Sequence, residues 1–278
     1  MERCKESIPE GMTMSEEDIH SYSSACVKSL FVIDKEQPES MVCLLRGGYP
    51  PTVVVDTLAR EFLDVDLNPM LIPTSDFLKN KHQLVRVLTD QLVRKASCND
   101  HNRGRVITID TAITGSSSRQ FLREFNDGFE TVVRRNEYSE IPVSLDYVLI
   151  RFWDKRPDRG SKTKIKSDVK TRYDSITDVS GEEVRHRLRF KNYNFGVRSL
   201  ISEDNPLLLG IDYPYTFEKG ENGGIHGQKS EYTQQVEVSV PITVSRNDGT
   251  NNVYQPKLNQ STGDLFLELI LDDSRELI

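Results

Sequence analysis

The sequence predicts an α/β fold in which helices flank a central, mostly parallel sheet and a β-rich region follows at the C-terminus. Two observations predict the sheet. Apolar strand patterns alternate with helical patterns through residue 153, and two of the strands run into glycine-bearing corners that lead to helices. A third observation sets the C-terminal part apart. From about residue 173 onwards, short apolar runs are separated by turns rich in Gly, Asn and Asp.

Composition excludes several classes of protein. The chain has 278 residues, 36% hydrophobic and 28% charged, which is enough for a substantial core. No apolar run is long enough to span a bilayer and no signal peptide is recognisable, so we expect a cytoplasmic protein without a membrane partner. The net charge of −7 disfavours nucleic acid as a partner of the whole chain, though not of a local patch. The scattered cysteines argue against a structural zinc site.

The N-terminal elements are expected to alternate along the chain. A helix begins near residues 15–18, because acidic residues stabilise the first turn of a helix. The elements that follow are strand 41–45, helix 51–62, strand 67–72, helix 75–95, strand 106–109, helix 118–135 and strand 147–153. Ligands of parallel sheets bind outside the carboxyl ends of the strands, where both glycine-bearing corners would lie.

The rest of the chain has a different composition and residue pattern. Residues 154–172 are strongly basic and poor in apolar side chains, which is typical of an exposed linker. Strands are expected at 184–200, 207–217, 235–244 and 265–271. The predicted organisation is a helical extension at 1–40, an α/β core at 41–153, the basic linker at 154–172 and a β-rich hood or accessory region at 173–278.

The corner after strand 106–109 carries the most informative residues. Asp110 ends the strand, and the residues that lead into the next helix are Thr114, Gly115, Ser116, Ser117 and Ser118. Backbone N–H groups and hydroxyls can converge on an anion at the positive end of a helix, and Gly115 allows close approach. The Asp110 carboxylate can accept hydrogen bonds from sugar hydroxyls. The corner predicts a site for a phosphorylated ribose; the alternative is an ordinary strand–helix turn.

The corner after strand 41–45 contains Arg46, Gly47 and Gly48. Arginine carries a planar, permanently charged fork that suits diphosphate oxygens. The two glycines permit unusual backbone geometry and close approach to a ligand. The alternative is a plain Gly-Gly turn beside a surface arginine. Two phosphate-type turns, each after an apolar strand, favour the ligand-binding interpretation.

Both corners resemble loops of the type I phosphoribosyltransferases. Residues 106–118 are similar to that family's loop for phosphoribosyl pyrophosphate (PRPP), where an apolar strand precedes two acids and a Thr-Gly-Gly/Ser-Thr motif. The Arg-Gly-Gly corner resembles the pyrophosphate loop of xanthine-guanine-type members, and the nearest similarity is to xanthine-guanine/hypoxanthine-type enzymes. Two positions depart from the pattern. Ile109 replaces the first acid, and Ile113 occupies the position of a catalytic aspartate in purine-specific members.

The resemblance implies roles for particular residues and leaves the catalytic residue unassigned. The PRPP or ribose-phosphate set would be Asp110, Thr111, Thr114, Gly115, Ser116, Ser117 and Ser118. Pyrophosphate would bind Arg46, Gly47 and Gly48. The implied cofactor is Mg²⁺, bridging pyrophosphate and ribose hydroxyls, with Asp110 holding it indirectly.

Two further elements of the family have weaker counterparts. A mobile lid precedes the PRPP strand in the family, and here Arg103 and Arg105 are the candidates; the cations of 79–95 are better explained as a solvated helix face. Residues 206–213 resemble the hood strand of purine phosphoribosyltransferases. This implies that Asp212 contacts the base while Tyr213 or Phe217 stacks on it; strands that serve only packing are the alternative.

The expected function is therefore that of a phosphoribosyltransferase-like protein, a pentosyltransferase that moves phosphoribose from PRPP to a nucleobase or other nitrogen nucleophile and releases pyrophosphate. The alternatives are a catalytically impaired sensor of PRPP or a nucleotide, and a specialised effector in antiviral defence or another conflict. We also expect a homodimer, with the C-terminal region available to a protein partner. The interpretation requires that both corners meet at one rim of the sheet and that Asp110 is accessible to a ligand.

Overall fold

The computed structural model describes residues 11–44, 48–72, 81–99, 101–112, 116–134, 141–154, 170–177, 183–198, 215–219, 225–229 and 239–278. Its helices are α1 (Glu16–Glu36), α2 (Tyr49–Leu63), α3 (Lys81–Ser97), α4 (Ser116–Val133) and α5 (Thr262–Glu276). Its strands are β1 (Met12–Ser15), β2 (Ser40–Leu44), β3 (Met70–Ile72), β4 (Arg103–Ala112), β5 (Ser144–Asp154), β6 (Lys170–Thr177), β7 (Glu183–Val197), β8 (Tyr215–Lys219), β9 (Ile225–Lys229), β10 (Ile242–Ser245) and β11 (Asn251–Tyr254).

Six strands form the central sheet in the order β3-β2-β4-β5-β7-β6. The pairings of β2 with β3, β2 with β4, β4 with β5 and β5 with β7 are parallel, whereas β6 pairs antiparallel with β7 at the edge. The chain places β3 on one side of β2 and β4 on the other, so the strand order reverses between β2 and β4. The prediction of an α/β fold with a mostly parallel central sheet is confirmed.

Side chains alternate along the strands, so each strand contributes residues to both faces of the sheet. A separate layer of helices covers each face. On β4, Ile107 and Ile109 belong to the core that α1, α2 and α5 share with one face. Val106 belongs to the core on the opposite face, which α3 and α4 complete. This alternation decides which layer each site residue contacts.

The α1 helix begins where the sequence predicts. Ser15 caps it by accepting a hydrogen bond from the Asp18 backbone N–H, and the Asp18 carboxylate accepts one from the Ser15 N–H. The segment predicted as an N-terminal extension is a layer of the core, since buried residues of α1 such as Tyr22 and Ile33 join the core with β4 and β5.

The predicted strand at 265–271 is wrong, because these residues lie in helix α5. Ser261 and Asp264 form a reciprocal capping box that starts this helix. Its buried side chains Leu265, Phe266 and Ile270 share a core with α1 and α2. The run Leu-Phe-Leu-Glu-Leu-Ile-Leu fits a strand and a buried helix equally well, and the capping signal before it decides for the helix.

Strands from the C-terminal part of the chain enter two sheets. The predicted strand at 184–200 is β7 and belongs to the central sheet, whereas the predicted strand at 235–244 contributes β10 to a second sheet of order β1-β10-β11. In that sheet Met12 to Ser15 pair in parallel with Ile242 to Ser245. β8 and β9 pair antiparallel with each other. Among the described residues, no helix combines the length and apolar character needed to cross a membrane.

Candidate functional site

The predicted corners follow two strands that are neighbours at the point where strand order reverses. β2 ends at Leu44 and β4 ends at Ala112, and the parallel register pairs Cys43 with Ile109. The next helices begin at Tyr49 and Ser116. Ligands of open α/β sheets bind outside the carboxyl ends of the strands at such a reversal. The two corners therefore leave the same edge of the sheet, at adjacent strands.

Gly48, at the start of α2, lies directly against strand β4. A Cβ added at Gly48 would lie 2.4 Å from the Leu44 carbonyl oxygen and 2.7 Å from the Ile109 carbonyl oxygen. Its backbone has φ −83° and ψ −18°, which any residue adopts, so glycine is needed here for close approach to β4. Arg46, Gly47, Thr114 and Gly115, which the sequence predicts at these corners, lie outside the described residues.

The start of α2 has little capacity to bind an anion through its backbone. The Gly48 N–H donates to the Leu44 carbonyl oxygen at 3.0 Å, and the Gly48 carbonyl accepts from the Thr52 N–H at 3.1 Å. Pro50 and Pro51 follow in the first turn and have no N–H to donate. Gly48, the described part of the predicted pyrophosphate corner, thus contributes to packing. The attraction of this corner for phosphate would come from the charge of Arg46.

The start of α4 has the donors that α2 lacks. The backbone of Ser116, Ser117 and Ser118 forms the first turn of this helix, immediately after the β4 corner. The first N–H groups of a helix have no acceptor within the helix, and the helix dipole adds positive potential there. Of the two corners, the one that follows β4 is therefore better suited to a phosphate group.

Asp110 lies at this edge but is only 6% exposed. It shares the face of Thr108, towards α3 and α4, and its register partner on β5 is Arg151. The predicted ribose contact needs a carboxylate that a ligand can reach. In the structure Asp110 is instead buried, so a ligand could contact it only after a rearrangement that exposes the carboxylate.

Asp110 also acts electrostatically on two buried neighbours. Burial raises the pKa of the Cys43 thiol to about 12, and the charge of Asp110 adds to the rise. Burial also raises the pKa of Tyr147 well above its ordinary value, again with a contribution from Asp110. Both groups therefore remain neutral beside the carboxylate at physiological pH.

An aromatic and hydroxyl layer lies beneath Asp110. The hydroxyl of Tyr147 hydrogen-bonds to Thr108, and its ring lies 4.8 Å from that of Phe125 on α4. Tyr147 and Phe125 are both fully buried. This packing fixes β4 and β5 relative to α4 directly below the carboxyl edge.

The surroundings on the opposite face of β4 explain why residue 109 is isoleucine where the resembled family has an acid. Ile109 is fully buried in the core that α1 and α2 form, where an ionised carboxylate would lose its hydration without compensation. Thr111 lies on the same face, and its hydroxyl lies 3.2 Å from the hydroxyl of the buried Tyr22. Ile109 and Thr111 thus both contact the helical layer that covers this face.

The structure does not bring Arg103 and Arg105 to this edge. Both lie at the amino end of β4, about 23 Å and about 16 Å along the strand from Asp110 at roughly 3.3 Å per residue. Arg103 forms an ion pair with Asp146, and Arg105 donates to the Glu36 carbonyl oxygen at 3.3 Å. The base-contact candidates Asp212 and Tyr213 lie outside the described residues, as does the side chain of Phe217.

The protein groups at the edge do not form a metal site by themselves. Across the described stretches of the chain, no three His, Cys, Asp or Glu residues cluster as metal ligands would. Mg²⁺ prefers six oxygen ligands and is commonly held by one or two carboxylates together with substrate phosphates. Asp110 fits the role of one such carboxylate, and the other oxygens would come from a bound ligand and water.

A polar row that was not predicted from the sequence continues from Asp110 across the sheet. The register aligns Asp110 with Arg151 on β5 and Arg151 with Asn194 on β7. Trp153 lies beside this row and donates from its indole N–H to the Asn194 side-chain oxygen at 2.7 Å. The available signal was Arg151, a charged residue within the otherwise apolar run 147–153.

Comparisons of the chain with models of protein families, with curated proteins and with solved structures found no match. No family is assigned by these comparisons. The resemblance to type I phosphoribosyltransferases therefore rests on sequence motifs alone.

Proposed function

We propose that the protein binds a phosphorylated ribose ligand, PRPP or a nucleotide, at the carboxyl edge of β2 and β4. The observation that carries the proposal is that Gly48, at the start of α2, lies against the backbone of Leu44 and Ile109 beside the strand reversal. Corners at distant parts of the molecule could not hold one diphosphorylated sugar. The carboxyl ends of β2 and β4, from which these corners start, are adjacent at one edge of the sheet, as a shared ligand requires.

In this proposal each group has a distinct part. The first turn of α4, with Ser116, Ser117 and Ser118, receives the 5′-phosphate. Arg46 contributes charge towards a pyrophosphate group. Asp110 contacts the ribose hydroxyls, and because it is only 6% exposed, binding requires a rearrangement that exposes its carboxylate.

Binding without efficient turnover is the alternative that a specific observation favours. The family's first acid would stand at residue 109, and here that position holds a fully buried Ile109. The protein then supplies one carboxylate at most from this stretch to Mg²⁺ and to the developing positive charge of a sugar cation. We infer that ligand binding is the primary activity and that transfer of phosphoribose to a nitrogen nucleophile is slower than in the family it resembles.

Calorimetry separates these possibilities. The intact chain is titrated with PRPP, ribose 5-phosphate, inorganic pyrophosphate and a nucleoside monophosphate, each with and without Mg²⁺. Saturable binding of the phosphorylated sugars, with pyrophosphate weaker, supports the proposal. A pyrophosphate-release assay with a panel of bases then distinguishes an enzyme from a sensor. Failure of all four compounds to bind would overturn the proposal.

A further inference from the structure

A tryptophan stands at the carboxyl edge of the central sheet, on the side that α4 covers. Trp153 is the only tryptophan of the chain, and it lies near the end of β5 with its side chain partly exposed. Side chains alternate along a strand, so Trp153 shares its face with Tyr147 and Leu149, which belong to the core that α3 and α4 complete. Trp153 is therefore on the same side of the sheet as α4, whose first turn is the proposed phosphate position.

The neighbours of Trp153 within the sheet are small. Its register partners are Ala112 on β4 and Gly196 on β7, two of the smallest residue types. Directly opposite residues of adjacent strands are the closest neighbours that a side chain has on its own face of a sheet. Because neither partner carries a large side chain, β4 and β7 leave room beside the indole at this row.

A hydrogen bond holds the indole in place. The Nε1–H group of Trp153 donates to the Asn194 side-chain oxygen at 2.7 Å. Asn194 lies on β7, the next strand, and its side chain is also partly exposed. Because the oxygen of this amide is engaged by the indole, its two N–H donors point away from the ring. Trp153 and Asn194 thus combine an aromatic face of fixed orientation with polar donors beside it.

The other side of this sheet edge is closed by α1. The hydroxyl of Thr111 lies 3.2 Å from that of Tyr22, and the Tyr22 ring packs edge-on against Phe152 with their centroids 5.2 Å apart. Tyr22 and Phe152 are both fully buried. A ligand at the ends of β4 and β5 therefore approaches from the side on which Trp153 lies.

We propose that Trp153 and Asn194 bind a nucleobase, so that the ligand of this edge is a nucleoside 5′-monophosphate whose base stacks on the indole. The inference rests on the proposed phosphoribosyl function and narrows its ligand class. Aromatic side chains stack on bases of every type, and amide groups hydrogen-bond to base edges. Trp153 lies one strand from β4 and Asn194 lies two strands from it, at about 4.8 Å and about 10 Å. A base attached to a ribose at Asp110 extends over this span.

The fluorescence of the single tryptophan reports directly on this stack. The intact chain is titrated with ribose 5-phosphate and with the 5′-monophosphates of adenosine, guanosine, cytidine and uridine, by fluorescence and by calorimetry. N-acetyltryptophanamide, titrated in the same way, corrects for absorption and collisional quenching. We expect at least one nucleotide to bind roughly tenfold or more tightly than ribose 5-phosphate, and to quench Trp153 more strongly at saturation, because only the nucleotide carries a base to stack.

Two substitutions at Trp153 separate stacking from packing. Trp153→Phe and Trp153→Leu both remove the donor to Asn194, but only phenylalanine keeps an aromatic face. The ratio of nucleotide affinity to ribose 5-phosphate affinity should fall roughly tenfold or more in Trp153→Leu, and by less than about fivefold in Trp153→Phe. Phe31→Leu, at an exposed aromatic residue of α1, is the matched control and should leave this ratio within about twofold of wild type.

The outcomes distinguish this inference from the proposed function. If ribose 5-phosphate binds but no nucleotide binds more tightly, if nucleotides bind without quenching Trp153, or if Trp153→Phe and Trp153→Leu lose equally, the base site is overturned and the phosphate corner stands. If nucleotides bind and quench Trp153 while ribose 5-phosphate does not bind, the base site is supported and the phosphate corner is not. Thermal unfolding of each variant is measured alongside. Should Trp153→Leu fail to fold, the wild-type fluorescence titration decides.

Discussion

Gly48 lies against the backbone of Ile109 so closely that a methyl group on its Cα would stand 2.7 Å from the Ile109 carbonyl oxygen. This contact joins the end of β2 to the end of β4 at the point where the strand order reverses. Neither residue is charged, and neither touches a ligand in the proposal. Their contact nevertheless holds the start of α2 against β4 at the carboxyl edge of the sheet.

The Gly48→Ala substitution is expected to destabilise the protein by about 1–3 kcal/mol, because the new Cβ meets two carbonyl oxygens that belong to strands and cannot move aside cheaply. Denaturant unfolding measures the change. Gly11→Ala is the matched control, since its nearest neighbour would be an ordinary 3.4 Å away. Equal stability of the Gly48→Ala and Gly11→Ala proteins would contradict the close approach.

A substitution at Glu36 tests the contact between α1 and β7. Burial acts to raise the pKa of Glu36, but hydrogen bonds from Lys191 and Tyr193 outweigh it, so the pKa of this carboxyl lies below its usual value. A lowered folded pKa contributes stability above the unfolded pKa of about 4.3, and that stability is lost as the pH falls below it. Glu36→Gln should therefore cost about 1–3 kcal/mol at pH 7 and progressively less towards pH 3.

Urea unfolding of both proteins across this pH range provides the measurement. The tyrosine gives an independent check, because burial and the hydrogen bond to Glu36 raise the pKa of Tyr193 to about 12. Replacing Glu36 should lower the pKa of Tyr193 in a spectroscopic titration. A stability difference that does not change with pH would argue against the ionised carboxylate as the source of the stabilisation.

The Asp146→Ala substitution leaves Arg103 and Arg187 facing each other without their shared carboxylate. Asp146 is almost fully buried, whereas both arginines are partly exposed, so the expected loss is about 1–3 kcal/mol, less than for a completely buried pair. Added salt should recover part of the lost stability, because it screens the repulsion between the two arginines. Asp272→Ala, at an exposed pair with Arg275, should change stability by less than about 0.5 kcal/mol.

Local pattern and long-range pairing explain which parts of the fold the sequence could predict. The strands around Cys43 and Ile109 are continuous apolar runs followed by helical spacing, and both the elements and their order are observed. Helix α5 was misassigned because its apolar run lacks a distinctive period, although the capping box at Ser261 was a usable signal. The pairing of β1 with β10 joins residues far apart in sequence, and no local pattern encodes it.

The candidate site was predictable only at the level of its corners. Strand ends and glycines locate Gly48 and Asp110 at one edge, but a strand pattern does not specify how much of a carboxylate helices will cover, and Asp110 is more buried than expected. The lid candidates Arg103 and Arg105 are near Asp110 in sequence, yet a ten-residue strand separates its two ends by about 30 Å. Arg151 and Asn194 become neighbours of Asp110 through register alone.

Calorimetric titration of the wild-type and Asp110→Asn proteins with Mg²⁺ and PRPP tests the central claim most directly, provided that the unfolding free energy of both is measured alongside. We expect saturable binding to the wild type, and about 1–3 kcal/mol weaker binding to the variant, because a charged hydrogen-bond acceptor is lost. Unchanged affinity in a stably folded Asp110→Asn protein, or no binding by the wild type, would contradict a phosphoribosyl site at this edge of the sheet.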